Sequence, residues 1–202
     1  MIITGVSRPF FAKYSEKNGT VSYSEGGSLG RMKEVGLVIN TSGDDNEVYL
    51  DNVLAEFERT FSDGTLTLAA DLLSQAVSAA ILGVTPVNLG PVDGVIDTDV
   101  VEYVYDDAQQ APYLGVGLVI RGKEKGAVRW MGLIVTKVKF NVPETAATTQ
   151  DKAITWQIPT ITATVMRDDT ETHVWQRHAS FSTEAQAIAY IKHRLNIMEE
   201  AE

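Results

Sequence analysis

The sequence predicts an α+β fold that is mainly β, in a single domain spanning residues 1–202. Three observations predict it. The pattern from Val53 to Gly83 changes twice, from a period-two run through a turn signal to a second period-two run, and then to a helical repeat. Two further apolar runs, Tyr113 to Arg121 and Ala127 to Phe140, flank the polar link Gly122-Lys123-Glu124-Lys125-Gly126. Residues 183–198 carry an amphipathic helical stripe behind a capping signal.

Between Gly5 and Thr41 the pattern is weak. Ser7-Arg8-Pro9-Phe10-Phe11 reads as part of an N-terminal arm over residues 1–12, and Val35 to Asn40 reads as a strand. Residues 41–52, TSGDDNEVYLDN, read as an exposed acidic loop. From Val53 onward, Val53, Ala55, Phe57 and Phe61 are apolar, while Glu56, Glu58 and Thr60 are polar, which is a half-buried strand. Ser62-Asp63-Gly64 supplies a polar link with a late glycine able to take a positive φ, so the chain is expected to reverse there as a hairpin. Leu66 and Leu68 then alternate with Thr65 and Thr67 on the return strand. A helix follows, with Asp71 as N-cap, a stripe of Leu72, Leu73, Ala76, Val77, Ala80 and Ile81, and Gly83 as its stop. This makes a two-layer unit, a helix packed after a central hairpin.

Val84 to Ala111 is long, acidic and broken by Pro86, Gly90, Pro91 and Gly94. So long a link without its own element is unusual in a compact domain, which places a short strand near Val100 to Tyr105. The hairpin of Tyr113 to Phe140 comes next. From Lys152 the apolar face is Ile154, Trp156 and Ile158, and beyond Pro159 it moves to Ile161, Ala163 and Val165, as at a bulge or an edge strand. The terminal helix starts at Thr183, with Gln186 in capping-box register, turns Ala185, Ile188, Ile191 and Leu195 inward, and ends among Lys192, His193 and Arg194.

Composition narrows the function. With no cysteine there are no disulfides, thiolate ligands or cysteine nucleophile. No basic leader with a long apolar run opens the chain, and no apolar stretch nears the roughly 20 residues that span a bilayer, so cytoplasmic synthesis and no membrane span are expected. Net charge is -10 and uneven: residues 1–40 carry net +2, residues 41–112 one basic and fourteen acidic groups, and residues 113–202 net +1. Arg121, Lys123, Lys125, Arg129, Lys137 and Lys139 cluster in the last part, opposed within their hairpin by Glu124. The protein is therefore expected to be polar as well as acidic.

No enzyme signature emerges. His173 and His178 fall on opposite faces of an extended chain and His193 on the terminal helix, so no zinc site is expected. No serine has a GxSxG setting, the glycines Gly26, Gly27 and Gly30 precede Arg31 instead of a Lys-Ser/Thr pair, and Gly115-Val116-Gly117 lies within a strand. Asp44-Asp45 and Asp106-Asp107 read as turn residues, and Trp130, Trp156 and Trp175 as core. The expectation is a non-enzyme with no catalytic residue, metal or cofactor. The summed negative charge also argues against tight binding of nucleic acid.

The run from Tyr49 to Gly83, with acidic and apolar residues before FSDGTLTL and a Leu- and Ala-rich helix, resembles the major tail proteins of long-tailed bacteriophages. Ala111-Pro112-Tyr113-Leu114-Gly115-Val116-Gly117 and Trp156-Gln157-Ile158-Pro159-Thr160-Ile161 fall where similar segments fall in that family, so the resemblance covers roughly residues 30 to 180. It implies a β-sandwich or barrel-like tail tube fold flanked by helices, in a virion protein assembled in the host cytoplasm. It implies hexameric rings that stack head to tail into a tube for DNA, with tape measure, tail terminator and distal tail proteins as partners. On that basis Glu56, Glu58, Thr65 and Thr67 are expected to face the lumen. Asp44, Asp45 and Glu47 of the acidic loop are expected to meet Arg121, Lys123, Lys125 and Lys139 of a neighbouring subunit. The alternative is a small β-sandwich module that binds carbohydrate or acts as an adhesin through its loops, since a sandwich hosts many functions.

Overall fold

The computed structural model describes residues 1–42, 47–50, 53–57, 59–70, 75–89, 100–143 and 158–198. Side chains at residues 47–50, 53–57 and 75 lie outside that description. The first three strands are β1 (Ile2–Lys17), β2 (Thr20–Ser28) and β3 (Met32–Ser42). After them come β4 (Glu47–Leu50), β5 (Val53–Phe57), β6 (Thr60–Ala70), helix α1 (Gln75–Leu82), β7 (Pro86–Asn88) and β8 (Val101–Tyr103). The chain ends with β9 (Tyr113–Glu124), β10 (Ala127–Phe140), β11 (Thr160–Met166), β12 (Gln176–Phe181) and helix α2 (Glu184–Arg194). The class is α+β and mainly β, as the periodicities predict.

Eight strands form one antiparallel sheet in the order β2-β1-β9-β10-β11-β6-β3, with β12 also paired to β10. β4–β5 and β7–β8 are separate two-stranded ribbons. Although four strands stand between them in that order, β1 and β3 approach each other, so the sheet curls round an interior.

The centre of the sheet is buried on both faces. Along β9, Leu114, Val116, Leu118 and Ile120 enter the main core with Leu66, Leu68, Ile161 and Phe140. On the opposite face Val119 joins Phe10, Ala12 and Ile134 beneath Ala187, Ile191 and Leu195 of α2. The helix comes so close because Gly115 and Gly117 lie under it. A Cβ on Gly117 would stand 2.2 Å from Ile191 Cγ2, and one on Gly115 would stand 2.8 Å from Leu195 Cδ2.

The turns are tight. Lys125 and Gly126 both have positive φ (49° and 85°), so β9 and β10 are joined by a two-residue connection instead of the longer link expected. Asn18-Gly19 does the same between β1 and β2 (53° and 74°). The arm expected over residues 1–12 is instead most of β1, because Phe10, Phe11 and Ala12 are needed in the two cores.

The reversal expected at Ser62-Asp63-Gly64 does not occur. These residues lie inside β6, where Asn40 is opposite Asp63 but Thr41 is opposite Phe61, leaving Ser62 as an extra residue. A bulge of this kind shifts the side-chain phase by one. It lets Phe61 on one side and Leu66 and Leu68 on the other all turn inward, Phe61 stacking on Trp175 with ring centroids 5.3 Å apart. Gly64 is required for closeness, since a Cβ there would lie 2.7 Å from the Val38 carbonyl oxygen. The acidic loop expected over residues 41–52 is likewise interrupted, because Thr41 and Ser42 end β3 and Glu47–Leu50 pair with β5.

β11 lies between β10 and β6 from Ala163 onward, while nearer Pro159 Thr160, Ile161 and Thr162 have ladder partners on β6 alone, and Ile161, Ala163 and Val165 are buried as expected. Residues 151–157 of that expected strand lie outside the described residues. In α1 the buried residues are Ala79, Ile81 and Leu82, with Ala76 and Ala80 exposed, and Gly83 ends the helix at φ +71°. Asp71, Leu72 and Leu73 lie outside the described residues. In α2 Thr183 accepts from the Gln186 N–H at 3.4 Å, and Ala187, Ile191 and Leu195 are buried, whereas Ala185 is exposed. The capping box is not closed, since the Gln186 side chain accepts from Ser182 Oγ instead.

Replacing Gly117 with valine is expected to lift α2 and cost about 2 kcal/mol or more. Gly36→Ala, where the nearest atom would be 3.7 Å away, should change stability by less than about 0.5 kcal/mol. Urea denaturation followed by tryptophan fluorescence checks both, and equal losses would refute the close helix-to-sheet approach.

Candidate functional site

Once the inward residues of β3, β6 and β11 are assigned to the core, the opposite face of these strands is left. It carries Thr65 and Thr67 on β6, with Thr164 opposite Thr65 and Thr162 opposite Thr67 on β11. Thr160 extends the row, and Gly36, Val38 and Asn40 lie alongside on β3. Thr65, Thr160 and Thr164 are exposed, and Thr67 and Thr162 are half-buried. Asn40 donates to the Asp63 carboxylate and Asn141 to Thr162 Oγ1 at 3.2 Å. The result is a short-chained, hydroxyl-rich face on which β-branched residues suit the pleat.

Of the residues expected on one lumen face, Thr65 and Thr67 share this one. Glu56 lies on β5, paired with β4 in a different ribbon, and Glu58 lies outside the described residues. The partners Thr160, Thr162 and Thr164 were missed. Their alternation with Ile161, Ala163 and Val165 is visible in the sequence, but pairing with β6 is what makes them part of this face.

The basic residues separate into two groups. Arg121, Lys123, Lys125 and Arg129 surround the β9–β10 turn, all exposed, with the Arg121 guanidinium 5.6 Å from the Trp130 ring centroid. Lys139 lies at the far end of β10, opposite Tyr113, and its ammonium is 5.6 Å from that ring. It therefore does not share a surface with Lys123 and Lys125. On the acidic side, Asp44 and Asp45 lie outside the described residues and Glu47 begins β4. Asp106 does act as a turn residue, its carboxylate accepting from the Ala108 N–H at 2.9 Å.

A polar network marks the place where β10 changes neighbours. β12 pairs with β10 as far as Val135, β11 takes over at Lys137, and buried Thr136 lies between. Its Oγ1 donates to the Val174 carbonyl at 2.6 Å and its own carbonyl accepts from Tyr23 OH at 2.8 Å. Tyr14 packs edge-on to Tyr23 and donates to Asp169 at 2.8 Å, and Asp169 also accepts from Lys137 at 2.6 Å. An open recess of about 450 Å³ adjoins the network, with buried Asp168 in its wall and Arg177 and Arg194 exposed at its margin.

His173 lies in the loop before β12 with φ 50°, His178 is opposite Leu133, and His193 is in the last turn of α2. Among the described residues, no group of His, Cys, Asp and Glu is arranged to hold a metal ion, and no helix is long and apolar enough to cross a membrane. No protein-family model matches the chain, and no curated protein matches it.

Burial pushes the phenols of Tyr14 and Tyr23 above the ordinary value near 10; the Asp169 N–H opposes this at Tyr14 while the Asp169 and Asp168 carboxylates reinforce it, and Tyr14 and Asp168 reinforce it at Tyr23. The hydrogen bond from Lys137, followed by that from Tyr14, holds Asp169 below the usual carboxylate range. Stability from the tyrosines is complete below about pH 10 and is lost as pH rises above it, because the unfolded chain ionises first. Stability from Asp169 is present above about pH 4 and is lost as pH falls through its lower folded value. In urea titrations, Tyr23→Phe should flatten the decline between about pH 9 and pH 11, and Asp169→Asn the decline below about pH 4. Unchanged slopes in both variants would count against the network as the source of pH dependence.

Proposed function

We propose that this protein is a structural subunit of a bacteriophage tail tube, a virion component that assembles into rings, hexameric in the family it resembles, which stack into a conduit for DNA. The observation that carries the reading is a curled sheet with end strands at both edges, next to a threonine-rich face. β3 is paired with β6 alone, and β2, at the other end, with β1 alone among the described residues. An end strand presents backbone N–H and C=O groups on its outer side and is a template for a strand from another chain. Pairing of this kind repeated by rotation closes a ring, and the curled sheet then contributes to a shared barrel.

The threonine rows of β6 and β11 would line the lumen of that barrel. A lining made mostly of hydroxyls, with Asp63 and Lys139 at its margins, would offer phosphates few cationic partners, so duplex DNA would gain little from staying. Thr65 and Thr67, expected from the sequence to face the lumen, would be joined there by Thr160, Thr162 and Thr164. The tape measure, tail terminator and distal tail proteins are the partners that this role carries with it.

Negative-stain microscopy of the purified full chain over rising protein concentration is expected to show rings or tubes, with sedimentation velocity showing species far above the 22.0 kDa monomer. A single monomeric species at every concentration would overturn the proposal.

A further inference from the structure

The β7–β8 ribbon is small and carries exposed apolar residues. Pro86 is opposite Tyr103, Val87 opposite Glu102 and Asn88 opposite Val101, and the Leu89 N–H donates to Val100 O at 3.2 Å. Tyr103 tucks against the main core and Gln109 anchors the ribbon's base by donating to Leu82 O at 2.8 Å. Beyond that, Val87, Leu89 and Val100 are exposed with Glu102 on the face opposite Tyr103, and Val101, Val104 and Tyr105 are exposed elsewhere on the ribbon, Tyr105 by 52%. Two-stranded ribbons are marginal alone in water, and an apolar surface kept in contact with solvent marks a docking site. Among the described residues its charged groups, Glu102, Asp106 and Asp107, are all exposed and acidic.

A complementary surface lies at the other end of the sheet. The chain leaves the ribbon through Gln110 and Pro112 to start β9 at Tyr113, and β9 then runs roughly 35 Å to the β9–β10 turn. At that tip Ile2 and Ile3, opposite Lys123 and Gly122, are 77% and 62% exposed, and Met1 and Val128 are exposed beside them. Arg121, Lys123, Lys125 and Arg129 surround these residues with positive charge. One molecule thus carries exposed apolar residues among acidic ones at one end of β9 and exposed apolar residues among basic ones at the other.

We propose that the β7–β8 ribbon of one copy docks on the β1–β9–β10 tip of a second copy, head to tail. The inference rests on the assembly reading above and gives the stacking step its contact. The occupant is another copy of this chain because each surface supplies what the other lacks in charge while both offer apolar area. Apolar burial drives such a contact, and the charges set its register and suppress like-with-like pairing. Two unlike surfaces at opposite ends make a heterologous contact, which propagates as a filament instead of closing as a dimer. This contact replaces the pairing of the tip with Asp44, Asp45 and Glu47 that the charge map of the sequence suggests.

Charge exchange tests it in the full chain. Glu102→Lys with Asp107→Lys reverses the ribbon, and Lys123→Glu with Arg129→Glu reverses the tip. All four sites are exposed, and circular dichroism confirms folding. Either pair alone is expected to lower the ratio of stacked to unstacked species by about tenfold or more in sedimentation velocity. Combining all four in one chain should restore stacking to within about twofold, as should mixing the two reversed variants. Rings that no longer stack in the single-end variants support both the contact and the tube. Tubes that form equally well in wild type and both variants, or stacking that the fourfold variant does not recover, overturn the contact and leave the tube reading standing. Linear chains without rings, lost in the variants and regained in the fourfold chain, uphold the contact and overturn the ring. A wild type that never self-associates overturns both.

Discussion

The structure depends on a sheet centre that must be buried on both faces at once. β9 sends Leu114, Val116, Leu118 and Ile120 to one core and Val119 to another, and it can do so only because Gly115 and Gly117 let α2 lie against the strand. A helix packed on ordinary side chains would stand further off, and Ile191 and Leu195 would lose their close contact with the sheet. The alternation of β9 is therefore also a choice of which core each residue serves. Phe10 and Phe11 of β1 are divided in the same way, one to each core.

Irregularities in the ladders then distribute the remaining chain. The register shift between Val135 and Val138 coincides with the point where β10 exchanges β12 for β11, and Thr136 satisfies the loop carbonyl that the exchange leaves inside. Tyr23, from the opposite end of the ladder, closes the same junction by donating to Thr136 O. A buried hydroxyl with a partner costs little, whereas one without would be expensive, so these residues are tied to the bend and not to the core's apolar content. The extra residue at Ser62 works similarly in β6, keeping Phe61 and Leu66 on one side across a change of phase.

What the cores leave outside is as ordered as what they enclose. The threonine face, the end strands, the acidic ribbon and the basic tip are all by-products of burying the other half of the same elements. In the proposed assembly, a ring would use the edges, a lumen the hydroxyls, and a stack the two ends of β9.

By itself the sequence determined the elements whose signals are local: the period-two runs of β9, β10 and the Leu66–Leu68 stretch, the stop of α1 at Gly83, and α2 with its Thr183 cap. Short-range sterics and hydrogen bonds decide these, and they are written in adjacent residues. The tertiary structure alone decided that Ser62-Asp63-Gly64 is a bulge and not a turn, because the same polar, glycine-ended triplet suits both and only the pairing with Asn40 and Thr41 selects one. It also decided that residues 2–17 form a strand in place of an arm, since β1 alternates poorly when Phe10 and Phe11 serve opposite cores. Which basic residues share a surface was settled the same way. Lys139 and Lys123 sit in one hairpin by sequence, yet strand length puts them at opposite ends, where only three-dimensional distance governs what charge each can meet.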